Sequence, residues 1–323
     1  MNIRKNRLKI VLGGIAVCMC MACGGSDTKD YWGDTSNGGK EEPTENPNAS
    51  KPRYIWIDAA ANFPDFANSK ENIARDLALA KDAGFTDIVV DVRPTTGDVL
   101  FKTNIVDQVK FMYAWIGSNY TKVERTATWD YLQAFVDEAR KQGLRIHAAI
   151  NTFVGGNQID GGTGLLYRDQ SKAEWATQMN MQTGIVSVMN TSESTKFFNP
   201  AHPEVQTFLC DLLKDLASYD LDGIFLDRGR FLNLQTDFSE ESRKQFEEYM
   251  GGIRIQNYPD DILLPGASSL PATYPKYLTK WLEFRAKVIY DFMQKARTAV
   301  KGVKPDIKFG VYVGGWYSTY YDV

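Results

Sequence analysis

A short apolar run that ends in charged residues is the strongest chemical signal in this sequence. In "YDLDGIFLDRGRF", residues 219–231, the run "IFL" ends in Asp227, and Arg228 and Arg230 follow closely. An ionisable group at the end of a buried segment costs free energy unless it is paired or used in chemistry. Asp227 is therefore a candidate catalytic carboxylate, and an ion pair with Arg228 or Arg230 is the alternative.

Other apolar runs end in similar residues. In chain order these are Asp58; Asp91 and Arg93; His147 and Asn151; and, after the last run, Trp316, Tyr317, Tyr320, Tyr321 and Asp322. If the runs are parallel strands of one barrel, their carboxyl ends share one rim. Carboxylates, amides, arginines and aromatic rings together suit a sugar, whose hydroxyls need donors and acceptors and whose apolar face packs on rings. The predicted glycan-binding residues are Asp58, Arg93, Asn151, Arg228, Arg230, Trp316 and Tyr317.

Several of these residues have a structural alternative. Asp91, in "VVDVRP", is interpreted as an inward polar residue paired with a neighbouring strand in preference to a catalytic acid, and Arg93 is as consistent with holding a carboxylate as with binding substrate. The aromatic C-terminal segment could equally be core. His147 and His202 are the only histidines and lie far apart, so no zinc site and no cofactor are predicted, although an aspartate-rich calcium site stays open.

Strands and helices alternate from Arg53 onward. The predicted strands are "RYIWIDA", "TDIVVDVRP", "LRIHAAINTF", the run before Asp227, and "IKFGVYVG"; the predicted helices are "SKENIARDLALAKDAG", "TWDYLQAFVDEARKQG", "HPEVQTFLCDLLKDLASY", residues 239–250, and "PKYLTKWLEFRAKVIYDFMQKARTAVK". This order indicates a parallel sheet covered by helices. A (β/α)₈ barrel is favoured over a doubly wound sheet, because "DAAANFPDF" occupies the place of a glycine-rich dinucleotide turn. Residues 53–323 are expected to supply about the first five β/α units, leaving the barrel incomplete at its C-terminus.

The N-terminal residues predict export and anchoring. Residues 1–22 carry four basic side chains, no acid, and the apolar run "IVLGGIAVCMCMA", which is typical of a secretory signal peptide. The following "CMAC" looks like a bacterial lipobox, so we expect Cys23 to be lipidated and residues 23–52 to form a flexible tether. The predicted location is the cell envelope, at the outer membrane. Loss of the four basic residues changes the net charge from −3 to −7, which argues against a nucleic-acid partner.

Four segments resemble successive blocks of the glycosyl-hydrolase-like family 10 barrels. They are "GFTDIVVDVRPTTGDVLF", "WDYLQAFVDEARKQGLRIHAAIN", "FNPAHPEVQTFLCDLLKDLASYDLDGIFLDR" and "WLEFRAKVIYDFMQKARTAVKGVKPDIKFGVYVGGW". The resemblance implies hydrolysis of a glycosidic bond in a polysaccharide or peptidoglycan glycan. By likeness to the fourth strand of α-amylase barrels, it places Asp227 at the nucleophile position and Asn151 at the asparagine of strand three.

The chain also departs from that pattern. The family usually shows Asp-Asp-Tyr where this sequence has Asp227, Arg228 and Gly229, and Phe225 stands where α-amylases carry arginine. Glycoside hydrolysis ordinarily needs two carboxyl groups, so the second is expected in sequence that this chain lacks. Two alternatives remain open: a glycan-binding envelope lipoprotein without activity, and a structural envelope protein.

Overall fold

The computed structural model describes residues 51–313. The predicted signal peptide, Cys23, nearly all of the tether, Trp316 and Tyr317 lie outside these residues. The strands are β1 (Tyr54–Ile57), β2 (Asp87–Arg93), β3 (Phe111–Ile116), β4 (Asn119–Glu124), β5 (Arg145–Asn151), β6 (Val154–Asn157), β7 (Gln178–Met181), β8 (Gly184–Ser187), β9 (Thr195–Phe197), β10 (Gly223–Asp227) and β11 (Lys308–Val311). The α-helices are α1 (Phe63–Phe66), α2 (Lys70–Asp82), α3 (Tyr131–Gln142), α4 (Leu165–Arg168), α5 (Pro203–Ala217), α6 (Glu240–Tyr249) and α7 (Leu278–Val303).

Five strands form one parallel sheet in the order β1-β2-β5-β10-β11, which is their order along the chain. These are the five strands predicted from the sequence, and the predicted parallel α/β sheet is confirmed. A doubly wound sheet would reverse its strand order part-way, whereas here each strand pairs with the one before it. Residues 51–313 contain these five parallel strands, so the predicted closure to eight stays a prediction.

The five predicted helices are present as α2, α3, α5, α6 and α7, with ends within about three residues of the predicted segments, whereas α1 and α4 were not predicted. Ser69 caps α2 by accepting a hydrogen bond from Asn72 N, and Asp130 caps α3 by accepting one from Gln133 N. Gly143 ends α3 with φ of 64°, a left-handed conformation that glycine adopts without strain. Helices α2 and α3, with α5 and the C-terminal half of α7, bury their apolar stripes against the sheet. Trp281, Phe284 and Val288 of α7 pack instead in a second cluster with Phe246 of α6.

The two faces of the sheet have different chemistry. Alternate residues of each strand, such as Ile88, Ile146 and Ile224, lie in the core beneath the helices. The residues between them form an inner face that is aromatic and polar. On this face the rings of Trp56, next to the end of β1, and Tyr312, just after β11, have centroids 5.4 Å apart. Because β1 and β11 are the opposite edges of the sheet, this contact requires strong curvature.

Three two-stranded antiparallel sheets, two of them hairpins, lie within the long connections after β2 and β5. They pair β3 with β4, β6 with β9, and β7 with β8. The sequence analysis did not predict them. The first hairpin is tied to the connection after β5, since Tyr113 Oη donates to Asp160 Oδ1 (2.9 Å) and Lys122 Nζ lies 2.7 Å from Asp160 Oδ2. Among residues 51–313, none of the helices is long and apolar enough to cross a membrane.

Candidate active site

A cavity of about 400 Å³ opens at the carboxyl edge of the parallel sheet. We call it the rim cavity. Its lining combines the ends of four sheet strands, the residue after β11, and one residue of the first hairpin. The lining residues include Trp56, Asp58, Asp91, Met112, Asn151, Asp227, Arg228 and Tyr312. The structure therefore brings together four of the residues selected as catalytic or glycan-binding: Asp58, Asn151, Asp227 and Arg228.

Asp227 and Asn151 lie side by side on the adjacent strands β10 and β5. They are paired in register at the ends of β10 and β5, and Thr152 N donates to Asp227 O at 2.8 Å. Asp227 Oδ1 accepts a hydrogen bond from Arg228 N at 2.6 Å, and Arg228 has φ of 46°. Among the described residues, no ion pair joins Asp227 to Arg228 or Arg230. The salt bridge that was the alternative explanation for Asp227 is therefore not formed within residues 51–313.

Arg230 turns back on its own loop. Its guanidinium donates to Phe231 O at 3.2 Å and to Leu232 O at 2.8 Å, and the side chain does not line the rim cavity. Its predicted contact with a glycan stays a prediction. Arg228, by contrast, lies on the cavity wall.

Asp91 is the most perturbed acid in the rim cavity. Its side chain is nearly buried, its Oδ1 accepts from Arg93 N at 3.2 Å, and its Oδ2 accepts from Asn151 Nδ2 at 3.4 Å. Burial, together with the negative charges of Asp58 and Asp227, raises its pKa to about 7. A substantial fraction of this buried carboxyl is therefore protonated near pH 7, and protonation is the state that a proton donor needs.

The sequence analysis interpreted Asp91 as an inward polar residue paired with a neighbouring strand, and its contact with Asn151 of β5 agrees with that interpretation. The structure also places Asp91 in the same cavity as the predicted nucleophile. The available signal was an acid between valines in the apolar run of β2. Asp58, the third carboxylate, sits in a turn where its Oδ1 accepts from Ala60 N at 2.9 Å and Ala61 N at 2.7 Å.

Arg93 has a positioning role in this structure. It is fully buried, its Nη1 donates to the carbonyls of Asn151 and Thr152, and its Nη2 donates to the carbonyl of Val154. Burial lowers its pKa to about 10, so it stays cationic at neutral pH. Asn151 Nδ2 donates back to Arg93 O at 2.9 Å. The sequence left open two roles for Arg93, holding a carboxylate or binding substrate. In the described residues its guanidinium bonds neither a carboxylate nor the rim cavity but three backbone carbonyls, so its contacts support a structural role of a different kind.

Two aromatic residues complete the cavity. Trp56 and Tyr312 line it and are 37% and 59% exposed, so their rings are open to a ligand. The sequence analysis selected neither, although the period of two in "YIWID" places Trp56 on the same face as Asp58.

His147 lies away from the rim, contrary to the sequence analysis. It pairs in register with Gly223, the first residue of β10, and its Nε2 is 2.8 Å from Asp87 Oδ1. Burial lowers its pKa, which favours the neutral ring. Within residues 51–313, no group of three histidine, cysteine, aspartate or glutamate side chains is arranged to hold a metal ion.

A family model described as "Glycosyl hydrolase-like 10" matches residues 51–323. The chain belongs to this family. The chain is also 31% identical over 279 residues to an S-layer-related protein of Niallia circulans, covering 83% of this chain but only 17% of that protein. It is 22% identical over 346 aligned positions to glycosyl hydrolase DigH of Escherichia coli (strain K12), covering 99% of this chain and 68% of DigH.

A solved glycosidase structure has the same fold. The alpha-L-fucosidase isoenzyme 2 from Paenibacillus thiaminolyticus aligns with a TM-score of 0.53 and 16% identity, over 82% of this chain and 33% of that one. The parallel α/β sheet of this chain is therefore of the type found in glycosidase barrels.

Proposed function

We propose that this family member hydrolyses glycosidic bonds in a polysaccharide or peptidoglycan glycan. The observation that carries the proposal is the rim cavity itself, in which Asp227, Asp91 and Asp58 surround one space beside Trp56 and Tyr312. Hydrolysis of a glycoside needs one carboxyl group that gives a proton and one carboxylate that stabilises or attacks the sugar. The different surroundings of Asp91 and Asp227 supply two such roles.

In the proposed reaction, protonated Asp91 gives its proton to the oxygen of the scissile bond. The bond from that oxygen to the anomeric carbon breaks, and Asp227 attacks the carbon or stabilises its positive charge. A water molecule then adds its oxygen to the anomeric carbon and gives a proton back to Asp91, which releases the sugar and restores both carboxyl groups. Asn151 Nδ2 donates to Arg93 O and to Asp91 Oδ2, so its amide oxygen is the group proposed to accept a hydrogen bond from a sugar hydroxyl. Trp56 and Tyr312 offer faces on which a sugar ring packs. Asp91 thus takes the role of the second carboxyl group that the sequence analysis expected in missing sequence.

The test is a reducing-end assay on a panel of polysaccharides and purified peptidoglycan strands. Asp227→Asn should lower kcat at least a hundredfold, in the range found for loss of an acid or base. Asp91→Asn should also lower kcat. Wild-type activity should decline as pH rises through about 7, since Asp91 then loses its proton. The exposed Asp306→Asn is the control and should retain full activity. Unchanged cleavage by Asp227→Asn would end this proposal.

The alternative is glycan binding without cleavage. One residue favours this alternative. Arg228 lines the rim cavity next to Asp227, at the position where the family usually has a second aspartate. A calorimetric titration on the same glycans separates the two functions. Binding without new reducing ends would favour the second.

Anchoring to the cell envelope is proposed from the sequence pattern around Cys23. Metabolic labelling with a radioactive fatty acid tests it. The wild-type protein should incorporate the label, and Cys23→Ser should not. Equal labelling of the two proteins would contradict lipidation at Cys23.

A further inference from the structure

A second and larger cavity lies away from the rim cavity and shares no lining residue with it. Its volume is about 750 Å³. It is bounded by the connection after β2, the segment before α3, and the C-terminal end of α5. Its lining includes Lys102, Asn104, Lys110, Arg125, Trp129 and Asp215. We call it the basic cavity.

The charge of this cavity is unbalanced. Lys102, Lys110 and Arg125 line it, and within residues 51–313 none of the three forms an ion pair with an acidic side chain. The one acid in its lining, Asp215, accepts a hydrogen bond from Thr103 Oγ1 at 2.6 Å. A cluster of unpaired cations on a chain of net charge −3 produces a local positive potential that attracts an anion.

Arg125 and Trp129 give the basic cavity a fixed wall. The Arg125 guanidinium lies 4.9 Å from the centroid of the Trp129 ring, and it donates to the carbonyl oxygens of Ala127 (2.6 Å) and Trp129. Its Nε is buried and has no hydrogen-bond partner in the described part of the chain. Because two of its nitrogens are anchored to the backbone, Arg125 keeps its charge at one place without an acidic partner.

Uncharged polar side chains complete the lining. Asn104, Gln108 and Thr128 supply hydroxyl and amide groups that can donate and accept hydrogen bonds. The Thr103 hydroxyl is already bonded to Asp215 and to Ile105 N. A volume of this size lies in the range of small-molecule sites and exceeds what a bare inorganic ion needs. Together with an aromatic ring, these groups match a ligand that carries hydroxyls as well as negative charge.

We infer that the basic cavity binds an acidic saccharide, a sugar that carries a carboxylate or a phosphate. Lys102 and Lys110 bind the anionic group through charge-assisted hydrogen bonds. The neighbouring amides and hydroxyls bind the sugar hydroxyls. This inference does not depend on catalysis in the rim cavity.

Calorimetric titration of the 323-residue protein with D-glucuronate, glucose 6-phosphate, D-glucose and inorganic phosphate tests the inference. We expect the two acidic sugars to bind, and glucose and phosphate to bind at least tenfold more weakly. The relative affinities for D-glucuronate and glucose 6-phosphate show whether the site prefers a carboxylate or a phosphate. Equal binding of glucose and the acidic sugars, or of phosphate and the acidic sugars, would overturn the inference.

Variants locate the site. Lys102→Gln with Lys110→Gln should weaken binding of the acidic sugar at least tenfold, with an unchanged circular dichroism spectrum. The matched control, Lys81→Gln with Lys244→Gln, removes two exposed lysines elsewhere and should bind as the wild type does. Equal weakening in both double variants would show a non-specific charge effect and would contradict a site in the basic cavity.

Two further variants separate this site from the rim cavity. Trp129→Phe should abolish the ligand-induced change in tryptophan fluorescence while calorimetric binding persists. Asp227→Asn should leave acidic-sugar binding unchanged even if it abolishes cleavage. Loss of acidic-sugar binding in Asp227→Asn would place the ligand in the rim cavity and refute the inference.

Discussion

Replacing Asp91 by asparagine should stabilise the protein at alkaline pH. The pKa of this buried carboxyl rises from 3.8 to about 7, so the folded state holds the proton more tightly than the unfolded state does. Its contribution to stability is fully present below pH 3.8 and is lost as pH rises through 7. At 1.36 kcal/mol for each pKa unit, the ionised carboxyl costs about 4 kcal/mol well above pH 7. Asparagine carries no charge and escapes this cost.

The expected difference changes with pH. At pH 5 the wild-type carboxyl costs about 2 kcal/mol. Asp91→Asn removes this cost but also loses a hydrogen-bond acceptor, which costs about 1 to 3 kcal/mol, so the two effects nearly cancel. The two proteins should therefore have similar free energies of unfolding at pH 5. At pH 8 the variant should be more stable than the wild type by about 2 to 3 kcal/mol.

Urea unfolding followed by tryptophan fluorescence at pH 5 and pH 8 measures this difference. Asp306→Asn, at an exposed site, is the control and should show the same small effect at both pH values. If Asp91→Asn changed the free energy of unfolding equally at pH 5 and pH 8, the reasoning about the buried proton would be refuted.

Three further substitutions test the loops and the framework around the site by urea unfolding. Arg93→Ala leaves three buried carbonyl groups without their donor and should cost about 3 kcal/mol or more; a loss below about 1 kcal/mol would contradict the positioning role. Asp237 is a fully buried carboxylate that accepts hydrogen bonds from Thr177 Oγ1 and from the hydroxyls of Ser239 and Ser242. Asp237→Asn should lower the free energy of unfolding by about 2 to 4 kcal/mol. An unchanged free energy would contradict a stabilising role for these hydrogen bonds. Gly164→Ala places a Cβ 2.5 Å from Gly155 O at a φ of 83°, and it should lower the free energy of unfolding by more than about 2 kcal/mol. The control Gly161→Ala, also at a φ of 83° but with open space around it, should lower it by about 1 to 2 kcal/mol through backbone strain alone. Equal losses in the two variants would show that the close contact is unimportant.

The parallel sheet was predictable from the sequence because its signal is local. Each of its five strands is a short apolar run between loop residues, and the long helices carry apolar stripes, such as Val205, Leu209, Leu212 and Leu216 of α5, all of which are buried. The hairpin of β3 and β4 was missed because β4 is almost wholly exposed and lacks an apolar alternation. Its place is set by contacts with Asp160, which lies distant in the sequence.

The candidate site was predictable in part. Asp227 and Asn151 follow from their positions at strand ends, but the proton affinity of Asp91 depends on burial and on two acids from other strands. The partners of Arg93 are backbone carbonyls 58 to 61 residues away. No residue type signals a carbonyl partner, so a sequence cannot distinguish this arginine from one that faces a ligand.

The agreement between strand order and chain order bears on how the protein is made. Every strand of the parallel sheet pairs with the strand synthesised before it, so none has to be inserted between two that are already joined. At a synthesis rate of roughly 5 to 20 residues per second, β1 and β2 leave the ribosome several seconds before β10. The nascent chain can therefore extend its sheet one β/α unit at a time, and the rim cavity becomes complete only when the residues that follow β11 have emerged.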